Sequence, residues 1–258
     1  MYLYVDAAYL RRVFDERLGV YLERSIEIYW PAVRSHFGAE RAFVYDCLND
    51  ILKKGETSEA FQARLHSQQE ALDEISSLDG FFVRLGTMRG DIRKRRQKEV
   101  DVLLAVDMLT HSHRKITNRA VLIAGDLDFK PVVDAVVEQG TFVTIAYDAT
   151  SASRDLARAA DSQRLLTLQT LWNLSTGPQD SSTAGLFPTT HKQKLTTKAV
   201  RSGKLRGGIA CLHRESDKWI LNLEGVPDLE DLFPFSHTDE AKLIEFADAE
   251  LGRIEWGS

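Results

Sequence analysis

Short apolar stretches alternate along the chain with longer segments in which apolar residues recur at helical spacing. The short stretches are rich in β-branched and aromatic residues and cover residues 2–5, 42–45, 81–85, 120–124 and 142–147. Each is mostly apolar rather than alternating, which is typical of a strand covered on both faces. Such strands separated by helices predict βαβ units, and therefore an α/β fold with a mainly parallel five-stranded sheet.

The segments between these strands carry helix signals. Ser58 is a candidate N-cap for a helix whose apolar stripe includes Leu65 and Leu72. Asp128 precedes a second helix over residues 129–139, with Pro131 in its first turn and Gly140 just beyond its end. These signals support the alternation of strands and helices.

The composition and periodicity of the sequence change after about residue 170. Residues 175–190 are rich in Ser, Thr, Gly and Pro and show no periodicity. We therefore predict a domain over residues 1–170, a linker over 171–190 and a small C-terminal β/α segment over 191–258. The C-terminal segment contains a predicted hairpin, with strands at 208–213 and 219–223, and a predicted helix over 239–251.

Composition narrows the class of protein. The chain has 258 residues, 43% of them hydrophobic, with 33 Lys and Arg against 38 Asp and Glu, a formal net charge of −5. This excludes disordered, collagen-like and disulfide-rich proteins. Cys47 and Cys211 match no CxxC spacing. The chain has neither a signal-peptide pattern nor a run of about eighteen apolar residues, so we expect a cytoplasmic protein that does not enter a membrane.

Charge is distributed in blocks. One short basic run and one acid-free basic segment stand out: Arg93, Lys94, Arg95, Arg96 and Lys98, then Lys192, Lys194, Lys198, Arg201, Lys204 and Arg206. The first run is either a solvated loop or a contact for a nucleic-acid backbone, and the sequence leaves both open.

Aspartates directly follow four of the predicted strands. They are Asp6, Asp46, Asp126 and Asp148. The carboxyl ends of parallel strands share one edge of the sheet, where ligands bind in open α/β folds. Asp46 and Asp148, taken singly, are better explained as turn residues or helix N-caps, with Asp148 kept as a candidate for supporting the site.

Asp6 and Asp126 are stronger candidates for a functional site than Asp46 and Asp148. Asp126 and Asp128 are two residues apart, so extended backbone would place them on the same side. Several carboxylates in one crevice repel each other unless a cation neutralises them, and oxygen ligands indicate Mg²⁺ or Mn²⁺ rather than zinc. Asp101 is a further candidate in the first turn of a helix beginning near Lys98, although the helix dipole alone would favour an acid there.

Four ordered motifs resemble the NYN domains of the PIN-like metal-dependent ribonuclease superfamily. They are YVDAAYL, KEVDVLLAVDML, VLIAGDLDFKPVVDAVVEQGTFVTIAYD and LARAADSQRLL, and together they span residues 1–170. The resemblance implies a three-layer, Rossmann-like sandwich with an acidic metal site formed by Asp6, Asp101, Asp126 and Asp128. It also implies a catalytic role for these four residues, with RNA as the partner; self-association into a homo-oligomer is left open.

Three functions follow from these observations. The first is a divalent-metal ribonuclease. The second is a non-cleaving NYN fold that binds RNA or a protein, because Ala7, Ala8 and Tyr9 stand where the family usually has Gly, Ser or Asn. In addition, Ala124 and Leu127 replace the two serines of the family's usual Ser-Gly-Asp-Ser-Asp. The third, an aspartyl-phosphate phosphatase, is disfavoured because its DxD motif normally lies on the opening strand. No GxSxG, HExxH or Gly-rich phosphate loop supports other hydrolases or nucleotide enzymes.

Overall fold

A computed structural model of the chain describes residues 1–86, 95–180, 197–226 and 235–257. The chain divides into two compact units. The first comprises Met1–Val13 and Ile28–Leu166, and the second comprises Phe14–Glu27 and Thr167–Ser258. Across the described ranges, no helix is both long and apolar enough to cross a bilayer.

The first unit is built on a parallel sheet. Its strands are β1 (Tyr2–Asp6), β2 (Arg41–Asp46), β3 (Phe81–Leu85), β4 (Arg119–Ile123), β5 (Phe142–Tyr147) and β6 (Ser162–Leu165), in the order β3-β2-β1-β4-β5-β6. All neighbouring pairs are parallel. The α/β class and the mainly parallel sheet are therefore confirmed.

The sheet has six strands where the sequence predicts five. The additional strand, β6, has the sequence SQRL and pairs only with β5 at the edge of the sheet. Three of its four residues are exposed. An edge strand with little buried surface carries no apolar run, so hydrophobic patterning could not reveal it.

Helices connect the strands of the first unit. They are α1 (Ala7–Val13), α3 (Trp30–His36), α4 (Ser58–Ser77), α5 (Arg95–His113), α6 (Lys130–Glu138) and α7 (Arg154–Ala159). The N-cap of α4 is Thr57 rather than Ser58, since the Thr57 hydroxyl accepts a hydrogen bond from the Ala60 N–H. Helix α6 begins at Lys130 because a 3₁₀ turn, Leu127–Phe129, comes first.

Strand β1 occupies the centre of the sheet. The chain adds β2 and β3 on one side of β1, then returns through α5 to place β4 on its other side. This reversal makes the carboxyl ends of β1 and β4 the topological switch point, where open α/β sheets form their ligand crevice. Beneath it lies an apolar core that includes Tyr4, Tyr45, Leu104, Leu122 and Ile145.

The second unit contains an antiparallel sheet. Its strands are β7 (Arg201–Leu205), β8 (Gly208–Glu215), β9 (Lys218–Glu224), β10 (Phe235–His237) and β11 (Glu255–Trp256), in the order β10-β9-β8-β7-β11. Strands β8 and β9 form the predicted hairpin, and the predicted C-terminal helix is α9 (Glu240–Leu251), capped by Asp239. The unit also includes α2 (Val20–Leu22) and α8 (Leu168–Asn173).

Residues 14–27 belong to the second unit, whereas the sequence suggested that they continue the first domain. A π-helical segment, Phe14–Gly19, follows α1. Its Arg17 forms an ion pair with Glu250 of α9 at 2.6 Å, and the Tyr21 hydroxyl donates a hydrogen bond to the Ser236 carbonyl. These contacts span more than 200 residues of sequence, so local patterns could not indicate them.

Candidate metal centre

Asp6 ends β1 at the switch point and is almost completely buried, at 7% exposed. Its Oδ1 accepts the backbone N–H of Tyr9 at 2.9 Å, which fixes the carboxylate at the start of α1. Burial raises the pKa of Asp6, and the charge of Asp46 adds to that rise, while N–H groups of Tyr9 and Ala8 and the Arg12 charge partly oppose it. A nearby positive charge would therefore stabilise the ionised form of Asp6.

Asp101 lies on α5 and is half-buried. Burial raises the pKa of Asp101 to about 7, and the charges of three other carboxylates contribute in turn, those of Asp6, Asp126 and Asp128. Asp101 thus lies within electrostatic reach of the other three aspartates predicted from the sequence. Without a cation, burial and the charges of these three carboxylates favour protonation of Asp101.

Helix α5 begins at Arg95, three residues before the predicted start. Asp101 is therefore its seventh residue and lies beyond the first turn. The favourable effect of a helix dipole on an acid falls off within that first turn. The dipole consequently does not explain why an acid stands at this position.

Asp126 and Asp128 follow β4 and are both exposed. The Asp126 Oδ1 accepts the backbone N–H of Asp128 at 3.0 Å, so Asp126 caps the 3₁₀ turn that precedes α6. This hydrogen bond uses one oxygen of Asp126. The carboxylate of Asp128 remains on the exposed turn.

The carboxylates do not form a closed coordination shell. In the part of the chain that the structure describes, no group of three or more His, Cys, Asp or Glu side chains is arranged to hold a metal ion. The chemistry of the donor set nevertheless suits a hard divalent cation, since all four candidate ligands are carboxylates. Among the described residues, these carboxylates therefore form a negatively charged site without a preformed coordination shell.

Tyr9 is a buried residue that packs against Gly125 and hydrogen-bonds to Asp148. It is 4% exposed, and its hydroxyl accepts the backbone N–H of Asp148 at 2.8 Å. A Cβ at Gly125 would lie 2.3 Å from Cε2 of Tyr9, so only glycine allows this ring to pack beneath the end of β4. Tyr9 therefore links the loops after β4 and β5 to the start of α1.

Asp148 organises the loop that follows β5. Its Oδ2 accepts hydrogen bonds from the Thr150 N–H, the Thr150 hydroxyl and the Ser151 N–H at 3.1, 2.6 and 2.9 Å. The side chain is buried, and its hydrogen bonds are those of the turn residue that the sequence suggested. Asp148 contacts Tyr9 through its backbone, and this contact connects it to the surroundings of Asp6.

Two arginines beside the site were not anticipated from the sequence. Arg11 forms an ion pair with the buried Asp46, whose other oxygen accepts the Cys47 N–H at 2.8 Å. Arg12 is exposed, lies over the Tyr9 ring at 5.5 Å and lowers the pKa of Asp6 by its charge. The local signal was their position on the helix that starts directly after Asp6.

Two further polar residues of α5, Asp107 and His111, contact tyrosines of the sheet. The side chain of Asp107 is only 17% exposed. It accepts the Tyr45 hydroxyl at 2.9 Å and the Arg84 Nε at 3.2 Å. The ring of His111 lies 2.8 Å from the Tyr4 hydroxyl through Nδ1. Both residues therefore provide polar partners for tyrosine hydroxyls of the core.

The basic run predicted to contact RNA lies largely outside the described residues. Arg93 and Lys94 precede the described start of α5, and the side chains of Arg95, Arg96 and Lys98 are likewise outside it. The same is true of Lys192 and Lys194 in the second basic segment. The role of these residues stays a prediction.

Comparisons with known proteins identify the family of this chain. No curated protein matches the chain. A crystal structure of a protein of unknown function from Vibrio parahaemolyticus is similar, with a TM-score of 0.46 and 16% identity over 67% of this chain and 94% of that chain. The family model of the NYN domain matches residues 2–167. The chain therefore belongs to the NYN domain family, which is generally nuclease-like and related to the PIN-like nucleases.

Proposed function

We propose that the first unit is a divalent-metal-dependent ribonuclease that hydrolyses RNA phosphodiesters at the acidic edge of its sheet. The observation that carries the proposal is the pKa of Asp101, raised to about 7 by burial and by the charges of Asp6, Asp126 and Asp128. Carboxylates that raise one another's pKa repel each other when ionised, and a bound cation would stabilise their ionised forms. Mg²⁺ and Mn²⁺ suit ligands that are all carboxylate oxygens, and PIN-like nucleases typically use divalent metals.

The four aspartates would hold the ion. When bound, it would supply Lewis acidity toward water and the scissile phosphate. Asp6 is held in place by the Tyr9 N–H, and Asp126 by the Asp128 N–H, so neither carboxylate needs to be ordered on binding. Because its pKa is raised to about 7, Asp101 is partly protonated near neutral pH without the ion and would release that proton on binding.

Positive charge near the crevice would position the RNA. Arg12 lies close enough to Asp6 to lower the pKa of that carboxyl group. Because Arg12 is exposed, its guanidinium is available to a phosphate group of RNA bound at the crevice. We assign the same role to the basic run of Arg93, Lys94, Arg95, Arg96 and Lys98, which leads into the helix bearing Asp101. Such contacts orient a strand without reading its sequence.

Metal binding tests this proposal. Isothermal titration of the protein with Mn²⁺ should show binding that weakens at least about tenfold in Asp126→Asn, because one charged ligand is lost. Asp134→Asn is a matched control: Asp134 is 43% exposed on α6 and pairs with Lys130 at 2.6 Å. Equal Mn²⁺ affinity in all three proteins, or no binding, would contradict the metal centre.

A non-cleaving module that binds RNA or a protein is the second candidate. Its support is the character of the residues after Asp6: Ala8 offers an exposed methyl group, and Tyr9 is occupied in packing against Gly125. The absence of a closed three-ligand group among the described residues points the same way. RNA binding without Mn²⁺ binding would favour this candidate.

A further inference from the structure

A row of stacked aromatic rings crosses one face of the parallel sheet and ends at its edge strand, β3. Tyr4 of β1 stacks on Phe43 of β2 with ring centroids 5.5 Å apart, and Phe43 stacks on Phe82 of β3 at 5.2 Å. Tyr4 and Phe43 are buried, whereas Phe82 is 40% exposed. Strand β3 stands at the end of the strand order, so no described strand pairs with its outer side. The row therefore ends in an aromatic side chain that is open to solvent.

Two arginines lie over the rings at this end of the sheet. The Arg41 guanidinium is 5.7 Å from the ring centroid of Phe82 and 5.5 Å from that of Tyr2. Arg84, two residues after Phe82 on β3, is 6.0 Å from the ring centroid of Phe43. Both arginines are exposed. A guanidinium held against an aromatic face keeps N–H groups at its edge for a further partner.

A third arginine joins them around His111 of α5. The His111 ring centroid lies 4.8 Å from that of Phe43. Burial lowers the pKa of His111, and three arginine charges lower it further, while the charge of Asp107 opposes them. The three are Arg84, Arg41 and Arg114. Arg114 is exposed as well. We call Arg41, Phe82, Arg84 and Arg114 the arginine–aromatic surface.

Positive charge dominates this surface although the chain as a whole is acidic. The formal net charge of the chain is −5. Asp107 ion-pairs with Arg84 at 3.2 Å and so neutralises one of the three arginine charges. The arginine–aromatic surface therefore keeps a net positive charge and would attract a negatively charged partner.

An exposed ring among guanidinium groups fits single-stranded nucleic acid. A base of any identity stacks on the ring, and the guanidinium groups bind the neighbouring phosphates. An acidic protein would satisfy the arginines but would give no role to the exposed ring of Phe82. The combination of ring and charge therefore favours a nucleic-acid strand.

Helix α5 connects this surface to the candidate metal centre. Asp101 and His111 both lie on α5, ten residues apart, which corresponds to about 15 Å along the helix axis. A strand of a few nucleotides can therefore reach from one to the other.

We infer that the arginine–aromatic surface binds a single-stranded part of the RNA whose phosphodiester reaches the four aspartates. The inference rests on the proposed ribonuclease function for the identity of the strand. It adds residues of β2, β3 and the end of α5 to the RNA contacts, at positions outside the basic run of residues 93–98. The surface positions the strand, and none of its residues belongs to the metal centre.

Fluorescence anisotropy of a labelled oligouridine of about ten nucleotides tests this surface, in a buffer with EDTA so that the strand stays intact. Phe82→Leu keeps an apolar side chain on β3 but removes the ring, and it should weaken binding about fivefold or more. Phe142→Leu is the matched control. Phe142 is 42% exposed and lies 5.2 Å from the Arg119 guanidinium, but it stands on β5, on the other side of β1. This control should bind like the unaltered protein.

A double variant, Arg41→Gln with Arg114→Gln, tests the charges and does not depend on the folding of Phe82→Leu. It should flatten the slope of log affinity against log salt by roughly 1 unit, since each phosphate contact to a single strand contributes about 0.7. Arg84 is left in place because it pairs with Asp107. The control, Arg119→Gln with Arg158→Gln, removes two exposed arginines elsewhere in the first unit and should leave the slope unchanged.

The inference is overturned if the protein binds no oligouridine, or if Phe82→Leu and the first double variant, both folded, bind it unchanged. An equal loss of slope in the control pair would also overturn it, because binding would then follow net charge alone. Poly-glutamate that competes with the strand while Phe82→Leu has no effect would assign the surface to acidic proteins instead.

These binding assays contain no divalent ion, and Mn²⁺ titration of the same variants should match that of the unaltered protein. A failure of the arginine–aromatic surface and a failure of the metal centre are therefore distinguishable.

Discussion

The ring of Tyr9 occupies the space that a side chain at residue 125 would need. A Cβ on Gly125 would lie 2.3 Å from Cε2 of Tyr9 and 2.8 Å from its Cζ. Gly125 immediately precedes Asp126, and Tyr9 donates the backbone N–H that holds Asp6. The packing of these two residues therefore couples the positions of two candidate metal ligands.

Gly125→Ala should destabilise the protein by about 2–3 kcal/mol, because the buried ring must move to admit the methyl group. Chemical denaturation measures this loss. Gly19→Ala is the matched control, since Gly19 has helical dihedral angles and a Cβ there would meet its neighbours at ordinary distances of 3.5 and 3.6 Å. The control should change stability by less than about 1 kcal/mol. Equal effects of both changes would show that the Tyr9 contact is unimportant.

Tyr9→Phe should cost about 1–3 kcal/mol, because the buried backbone N–H of Asp148 loses its acceptor at the Tyr9 hydroxyl. Tyr147→Phe removes a hydroxyl that donates to Gln163 in an exposed setting at 3.2 Å, and it should cost under about 0.5 kcal/mol. Thermal melts of both variants provide the comparison. A Tyr9→Phe protein as stable as Tyr147→Phe would rule out the supporting role of the hydroxyl.

The pKa of Asp101 gives the metal-free protein a defined pH dependence. Since this pKa is raised from 3.8 to about 7, the folded state binds a proton that the unfolded state has already released between these pH values. Stability from this group is therefore full below about pH 4 and falls until about pH 7, above which its contribution stays constant.

Asp101→Asn removes this dependence. At pH 8 and without divalent cations, the variant should be more stable than the unaltered protein by on the order of 1–2 kcal/mol, a value reduced for solvent screening of a half-exposed group. At pH 4 the two proteins should be equal. Glu99→Gln, which alters an exposed acid on the same helix, should show no such difference between the two pH values. A pH-independent effect of Asp101→Asn would contradict the raised pKa.

The basic run before α5 is expected to contact RNA phosphates. Replacing Arg93, Lys94, Arg95 and Arg96 with Gln should flatten the slope of log affinity against log salt by up to roughly 3 units, since each single-strand contact contributes about 0.7. Affinity should fall alike for every RNA sequence, and Mn²⁺ affinity should be unchanged. An unaltered salt slope would identify the run as a solvated loop. The same substitutions at Lys192, Lys194, Lys198 and Arg201 test the C-terminal segment.

The sequence predicted the fold wherever burial leaves a local pattern. Five strands of the parallel sheet were recognisable because each is a mostly apolar run. The shared edge of parallel strands predicted that Asp6 lies near Asp126. Strand β6 was missed because its exposed polar sequence has no such pattern. The predicted five-stranded count was therefore one short.

Long-range contacts account for what the sequence did not reveal. Tyr9 and Gly125 are more than a hundred residues apart, and neither carries a local signal for their packing. The contacts of Asp107 are made with Tyr45 and Arg84 from two neighbouring strands. The attachment of residues 14–27 to the second unit depends in the same way on Ser236 and Glu250. Periodicity and spacing cannot encode such contacts.

Single-turnover cleavage of a labelled total-RNA pool, with and without Mn²⁺, tests the central claim most directly. The unaltered protein should cleave only with the ion, and Asp126→Asn should keep its fold while its rate falls about a hundredfold or more, a loss of roughly 3 kcal/mol in transition-state stabilisation. Asp134→Asn should cleave normally. Cleavage that survives in Asp126→Asn, or a folded, Mn²⁺-loaded protein that cleaves no RNA, would contradict the assignment of the four aspartates to a ribonuclease centre.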